Sequence, residues 1–389
     1  MPDLAPTSRL AAAPDCVALT SLSLSNLRNY VAANVAFGAG IVVLTGANGA
    51  GKTNLLEAIS LLTPGRGLRR AAFEEITRHA AESGWAVAAT LLRGGGETRL
   101  GTGLVEAAPG EARARKVRVN EATAPSADAL LEHLRILWLT PAMDGLFSGP
   151  AAERRRFLDR LVLTLDAAHG RRTRDFERLL TQRNRLLDEG GNSAWLDAVE
   201  AQLAAHAVSL ALARAETIAL LSARMIGRGG GAFPAGRIAL AGEFDRAIAG
   251  RKAAEAELDY RDALARSRAA DRAAARTLLG PHRSDLDVVF AEKDMLAALS
   301  STGEQKALLI GLILAHAEIV AEMSGMTPLL LLDEIAAHLD PDRRAALFDR
   351  LAVLGCQAFL TGTDPALFAG LPADAARFRV AAGSVERAG

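Results

Sequence analysis

Apolar and polar residues alternate along Val17–Leu24, the period of a strand with one covered face. The same period returns at Trp85–Leu92, Thr98–Val105 and Lys116–Val119. Turn residues at Gly94–Gly96 and Asn120–Glu121 separate these runs, so they predict an antiparallel meander. Ile41–Leu44 and Pro328–Leu332 hold no alternation and read as strands covered on both faces. Ile136–Thr140, stopped by Pro141, and Gln357–Thr361 are further short strands. From Ala151 to residue 228 the period becomes helical, with a break at Gly190–Gly191 and a firm stop at Gly229–Gly231. A strand at Arg237–Ala241 precedes a helical stretch to Leu279, and Asp285–Phe290 alternates again. Gly303–Glu322 and Arg343–Leu354 are helical. The order predicts an α/β head interrupted by a mostly helical lobe. The boundaries are a loose N-terminal extension at 1–15, head at 16–148, inserted lobe at 149–279 and head again at 280–389.

With 389 residues, half of them hydrophobic, the chain has ample material for a large core. Its formal net charge is zero, so nucleic-acid contact requires local basic patches. Cys16 and Cys356 have neither metal-ligand spacing nor a disulfide framework, and suit a reducing cytoplasm. No run of about 18 uninterrupted apolar residues appears, so no membrane partner is expected.

Residues Gly46-Ala47-Asn48-Gly49-Ala50-Gly51-Lys52-Thr53 lie between an apolar strand and a helical run that begins at Asn54. That context makes them a phosphate-binding P-loop. Glycines let backbone N–H groups turn toward phosphate, Lys52 adds a point charge, and the Thr53 hydroxyl is placed for Mg2+. Asp333 and Glu334 end the apolar strand Leu329–Leu332, a Walker B pattern. Asp333 is then the second metal-shell residue and Glu334 the group that polarises water. ATP and Mg2+ are the cofactors this pairing predicts.

Ser301-Thr302-Gly303-Glu304-Gln305 precedes a helix about thirty residues before Asp333. It fits an ordinary N-cap, and also the signature of ABC-type ATPases, in which Ser301 and Gly303 complete the ATP site of a second subunit. Asp340 fits both a D-loop and the N-cap of the next helix. The fold class is therefore α/β, an ABC-type P-loop NTPase head with a β-meander and an inserted, mostly helical lobe.

Two other ABC classes fit less well. Transporter ATPases have a much shorter interval than the 249 positions between Lys52 and Ser301, and carry a switch histidine near Thr361, which this chain lacks. An SMC-like DNA tether needs arms of hundreds of residues. Folding residues 150–280 into a hairpin gives only about 100 Å, and its glycines interrupt even that.

The chain resembles the RecF family, recombination-mediator ATPases of the SMC-like ABC group. The residues carrying the resemblance are Asn26–Tyr30, Gly46–Ile59, Gly65, Arg66, Arg69, Arg155–Asp159, Gln182–Asn184, Gly280–Leu286, Ser301–Lys306 and Leu331–Asp340. It departs at Gly67-Leu68, and at Pro141–Leu146, where only Asp144 is a candidate for the Q-loop residue. The resemblance implies slow ATP hydrolysis and an ATP-dependent homodimer. It further implies sequence-independent binding of gapped or duplex DNA, with RecR and RecO as partners and recombinase loading as the outcome. Ten arginines against five acids between Ala151 and Arg185 give that DNA a basic surface. Arg154 and Arg155 are candidate contacts there; Arg113, Arg115, Lys116 and Arg118 form a second cluster, and Arg66, Arg69 and Arg70 a third, in which Arg69 and Arg70 are candidate contacts. Aromatic residues are only 4% of the chain, too few for a base-stacking platform.

Overall fold

The computed structural model describes residues 14–79, 81–105, 113–226 and 231–388. The expected N-terminal extension and the stop at Gly229-Gly230 lie mostly outside them. Elements are numbered in chain order.

The alternating segments form one antiparallel sheet in the order β2-β1-β4-β5-β6-β7. Its strands are β1 (Val17–Leu27), β2 (Tyr30–Ala36), β4 (Ala86–Arg93), β5 (Gly96–Val105), β6 (Ala114–Val119) and β7 (Ala122–Thr123). The apolar segments form a second sheet in the order β15-β14-β3-β13-β12-β8. Its strands are β3 (Ile41–Thr45), β8 (Ile136–Leu139), β12 (Leu329–Leu332), β13 (Ala358–Gly362), β14 (Ala376–Ala381) and β15 (Ser384–Arg387). All neighbours in this sheet are parallel except β14 and β15.

Both faces of the parallel sheet are covered, which explains its unbroken apolar strands. Val42, Leu44, Leu329 and Leu331 pack toward the antiparallel sheet and α1 (Lys52–Ser60). Ile41, Val43, Leu330 and Leu332 pack toward the opposite core, which holds α8 (Thr302–Ser324) and α9 (Pro341–Leu354). Burial nearly all round α8 accounts for its apolar character.

The helical region resolves into α3 (Ala151–Leu165), α4 (His169–Asp188) and α5 (Ser193–Ile226). A three-stranded sheet follows, built from β9 (Gly236–Ala241), β10 (Asp285–Phe290) and β11 (Met295–Leu296), with α6 (Glu243–Ile248) and α7 (Ala253–Ala273) between its strands. A short α2 (Phe73–Ile76) follows α1. The break at Gly190 is present, with φ +71°.

The expected boundary at 279 does not coincide with a break in packing. β9 pairs with β10 across it, and Phe157, Leu161, Ile218 and Leu221 of α3 and α5 share the core of α8. Only α4, the first half of α5, α6 and α7 build a core of their own. Strands β2, β7, β11, β14 and β15 were not predicted. β2 is exposed along most of its length, so its apolar period is weak.

Register brings the chemistry together. Leu332 pairs with both Leu139 and Leu360, and Thr361 pairs with Leu44. Parallel strands therefore deliver Gly46, Asp333 and Thr361 to one sheet edge.

Candidate nucleotide site and its surroundings

The P-loop joins β3 to α1 as a left-handed turn, with φ of +78° at Gly49 and +116° at Gly51. A Cβ at Gly51 would also meet the side chains of Asn29 and Tyr30 at 2.7 and 2.9 Å. Those residues brace the loop from the β1–β2 hairpin. Tyr30 Oη donates to Gly51 O at 3.0 Å, and Asn29 Nδ2 donates to Ala50 O at 3.1 Å. Asn54 Nδ2 donates to Asn29 Oδ1 at 2.7 Å. Arg28 forms a fork on buried Glu57 of α1 at 2.9 and 2.7 Å. The Asn26–Tyr30 segment is thus a brace for the phosphate loop.

Lys52 is buried, and its Nζ donates to Gly46 O at 2.8 Å and Ala47 O at 3.0 Å. The ammonium therefore lies over the mouth of the loop. Thr53 Oγ1 lies 3.0 Å from both carboxylate oxygens of Asp333. Burial raises the Asp333 carboxyl above the ordinary range, against hydrogen bonds from Thr361 and Thr53 that lower it. A buried carboxylate beside a hydroxyl fits a divalent cation that keeps waters and phosphate oxygens as its other ligands. No cluster of three or more His, Cys, Asp or Glu side chains suited to a metal occurs among the described residues. These two residues would hold Mg2+ together with phosphate.

Thr361 has a role that sequence reasoning missed. Its Oγ1 donates to Asp333 Oδ1 at 2.7 Å and accepts from the backbone N of Glu334 at 2.8 Å. Glu334 holds a left-handed φ of +54°, and its carboxylate has no hydrogen-bond or ion-pair partner among the described residues. One hydroxyl thus ties the Asp333 carboxylate to the Glu334 backbone. The available signal was its position at the end of the strand beside β12.

Ser301 caps α8. Its Oγ accepts from Glu304 N at 3.4 Å, and Glu304 Oε2 accepts from Ser301 N at 3.1 Å. Lys293 and then Ser301 pull the Glu304 carboxyl down to about 2. Ser301, Thr302 and Gly303 are exposed, and a Cβ at Gly303 would meet open space. Gln305 turns inward to Ser300 O at 2.9 Å. Asp340 caps α9, its Oδ1 accepting from Arg343 N at 2.8 Å. Asp144 accepts from Lys306 Nζ at 3.0 Å, which ties the Q-loop position to the helix behind Ser301.

The arginines divide sharply. Arg154 is corrected as a DNA candidate. It forms a fork on Asp285 at 2.7 Å through both Nε and Nη2, and its Nη1 donates to Phe147 O and Gly149 O. Arg155 is half-buried and donates to Ser284 O at 2.8 Å. Arg69 turns toward the nucleotide site, donating to Asn54 Oδ1 at 2.7 Å and pairing with Glu57 at 3.4 Å. Arg70 pairs with Glu153 at 3.2 Å and is half exposed. Arg115 donates to the carbonyls of Gly65 and Thr63 just beyond α1, and burial lowers it to about 10. Arg113, Lys116 and Arg118 are exposed.

Several residues in the remaining segments of the family resemblance make internal contacts. Asp159 holds Arg214 at 2.8 Å and His169 at 2.9 Å. Desolvation would raise its carboxyl, yet Arg214 and His169 hold it down to about 2. Arg183 is wholly buried between Glu200 at 2.9 Å and Asp271 at 2.8 Å. Asn184 Oδ1 accepts from Thr277 N at 2.9 Å, and His282 meets Thr277 O at 3.0 Å.

The family model described as RecF/RecN/SMC N terminal domain matches residues 18–374. The DNA replication and repair protein RecF of Mesorhizobium japonicum is 54% identical over 356 residues, 91% of this chain and 93% of that protein. RecF of Brucella abortus is 54% identical over 376 residues, 96% of this chain and 97% of its own. The fold resembles the solved structure of the recombination mediator protein RecF-ATPrS in the RecFOR pathway. The TM-score is 0.84 at 23% identity, over 97% of this chain and 100% of that one. Sequence and fold agree, and this chain belongs to the RecF family.

Proposed function

We propose that the chain is a cytoplasmic, ATP-dependent DNA-binding protein of recombinational repair and replication restart. The observation that carries the reading is the meeting of Lys52, Thr53, Asp333 and Thr361 at one sheet edge, with Glu334 beside them. Lys52 and the P-loop amides hold the phosphates, and Thr53 and Asp333 hold Mg2+. The metal supplies charge neutralisation on the phosphates. Glu334 takes hydrogen bonds from the attacking water and orients it.

Ser301 and Gly303 act on a second copy. They are exposed at the start of α8, and Leu296 and Leu299 beside them are 46% and 71% exposed. Apolar side chains next to a hydroxyl cap support a partner surface. ATP would then lie between the P-loop of one copy and Ser301 of the other.

DNA contact is better carried by α4 than by Arg154. Arg171, Arg174, Arg178 and Arg185 recur at helical spacing on one face and are 57–79% exposed. The stripe spans about 21 Å at the helical rise. Its ion pairs are surface pairs, easily exchanged for phosphate. RecR and RecO are partners carried over from the family, with recombinase loading as the outcome.

The test is binding to gapped, duplex and single-stranded DNA with and without ATP, with oligomeric state measured alongside. ATP is expected to produce a dimer and tighten binding to gapped and duplex DNA. Equal binding without ATP, by a monomer, would refute the reading.

A further inference from the structure

A cavity of about 730 Å3 lies between the head and helices α3 and α4. Thr53 and Asp333 line its inner wall, while none of Gly46–Lys52 does. It therefore begins at the metal side of the phosphate loop and leads away from it.

The lining is rich in arginine, and most of that charge is paired. Arg69 is held by Asn54 and Glu57, and Glu153 pairs with both Arg70 and Arg156. Asp159 belongs to Arg214 and His169. Two lining acids have no ion pair among the described residues: Asp333, held by the Thr53 and Thr361 hydroxyls, and Glu177, which is exposed to water.

Two lining cations remain without a carboxylate among the described residues, Arg66 and Arg160. Arg66 is exposed. Arg160 lies over the Trp138 ring at 4.2 Å and near the Phe157 ring at 5.4 Å. Its Nη2 donates to Trp138 O at 3.3 Å, and its Nε is buried with no hydrogen-bond partner. Burial and then the neighbouring Arg70 lower it to about 9, so it stays cationic at neutral pH. Arg160 as a whole is half-buried, so the edge of the guanidinium away from the enclosed Nε faces the cavity, where a cation without a carboxylate favours an anion.

Hydrolysis joins a water oxygen to the γ-phosphorus and breaks its bond to the β-phosphate oxygen. ADP stays on the P-loop, the water's protons pass to phosphate and solvent, and a free oxyanion forms beside Thr53 and Asp333. We propose that this cavity is the chamber that receives the cleaved inorganic phosphate, with Arg160 and Arg66 as its anion-binding groups. It rests on the nucleotide reading above and adds the route of the product.

Inorganic phosphate is the probe, added to the full chain with ADP and Mg2+ while tryptophan emission is followed. Single-turnover cleavage and phosphate release are timed in parallel. The wild type is expected to show a saturable change that chloride does not reproduce. Arg160→Met should raise the half-saturating phosphate at least tenfold and speed release relative to cleavage, while Arg160→Lys keeps most of the response. Arg66→Ala, at an exposed position that folding tolerates, should raise it about threefold if Arg160→Met does not fold. An unchanged phosphate response in a folded Arg160→Met, or in Arg66→Ala, overturns the chamber. So does a wild type that cleaves ATP yet shows no response to phosphate. A wild type that cleaves no ATP at all refutes the nucleotide reading instead.

Discussion

Thr361 shows how one hydroxyl can govern a site. It bonds Asp333 and the Glu334 backbone together, and Glu334 is held at φ +54°. Thr361→Val keeps the shape and removes both bonds. ATP affinity should change little, while the steady-state hydrolysis rate should fall at least tenfold, as expected for loss of an orienting group. Hydrolysis at the wild-type rate in this variant would remove Thr361 from its role. Glu334→Gln should bind ATP, stop turnover and accumulate a DNA-bound dimer, read by light scattering with labelled DNA. His316 carries a pH prediction. It is wholly buried against Thr164 and Leu161 O, and burial lowers it from 6.5 to about 4. The unfolded chain takes up a proton that the folded chain refuses. The stabilisation is therefore full above pH 6.5 and is lost as pH falls toward 4. The shift corresponds to about 3 kcal/mol. Melting curves between pH 7.5 and 5 should show the decline, and His316→Gln should flatten it.

At the scale of elements, α3 and α4 separate structural from functional arginine. Arg171→Glu, Arg174→Glu and Arg178→Glu together should weaken DNA binding and reduce the salt slope by about three units, one for each lost phosphate contact. Arg183→Met should leave that slope alone and cost about 3–5 kcal/mol, because Glu200 and Asp271 lose a buried partner. Thermal melts and salt titrations of the same preparations separate the two effects. This division was not legible in the sequence. Arg154 and Arg171 both stand in an arginine-rich helical stretch, and only the fold brings Asp285 to one of them. Periodicity did reveal β10, α8 and α9, because one strong apolar face or an unbroken apolar run marks each. It missed β2, which is mostly exposed, and β14, whose partner β3 lies more than 300 positions away. The turn Gly46–Lys52 and the strand that ends in Asp333 and Glu334 were legible, since local spacing dictates them. Thr361 was not, because its partners come from a neighbouring strand.

For the whole molecule, the central claim is a composite ATP site made from two copies. Within one chain, Ser301 makes only the bonds of a helix cap, exposed at the start of α8. Loss of that cap alone would cost about 0.5–2 kcal/mol and leave dimerisation intact below the melting temperature. Action in trans predicts more. Ser301→Arg should bind ATP as a monomer, and Lys52→Ala should bind it weakly and also remain monomeric. Mixing the two gives a heterodimer with one site lacking both groups and one site wholly intact. The most direct measurement is ATP-dependent association of these two variants, alone and mixed, by analytical ultracentrifugation. The account predicts no dimer from either variant alone and a partial dimer from the mixture. No association on mixing, with both variants folded, would contradict it.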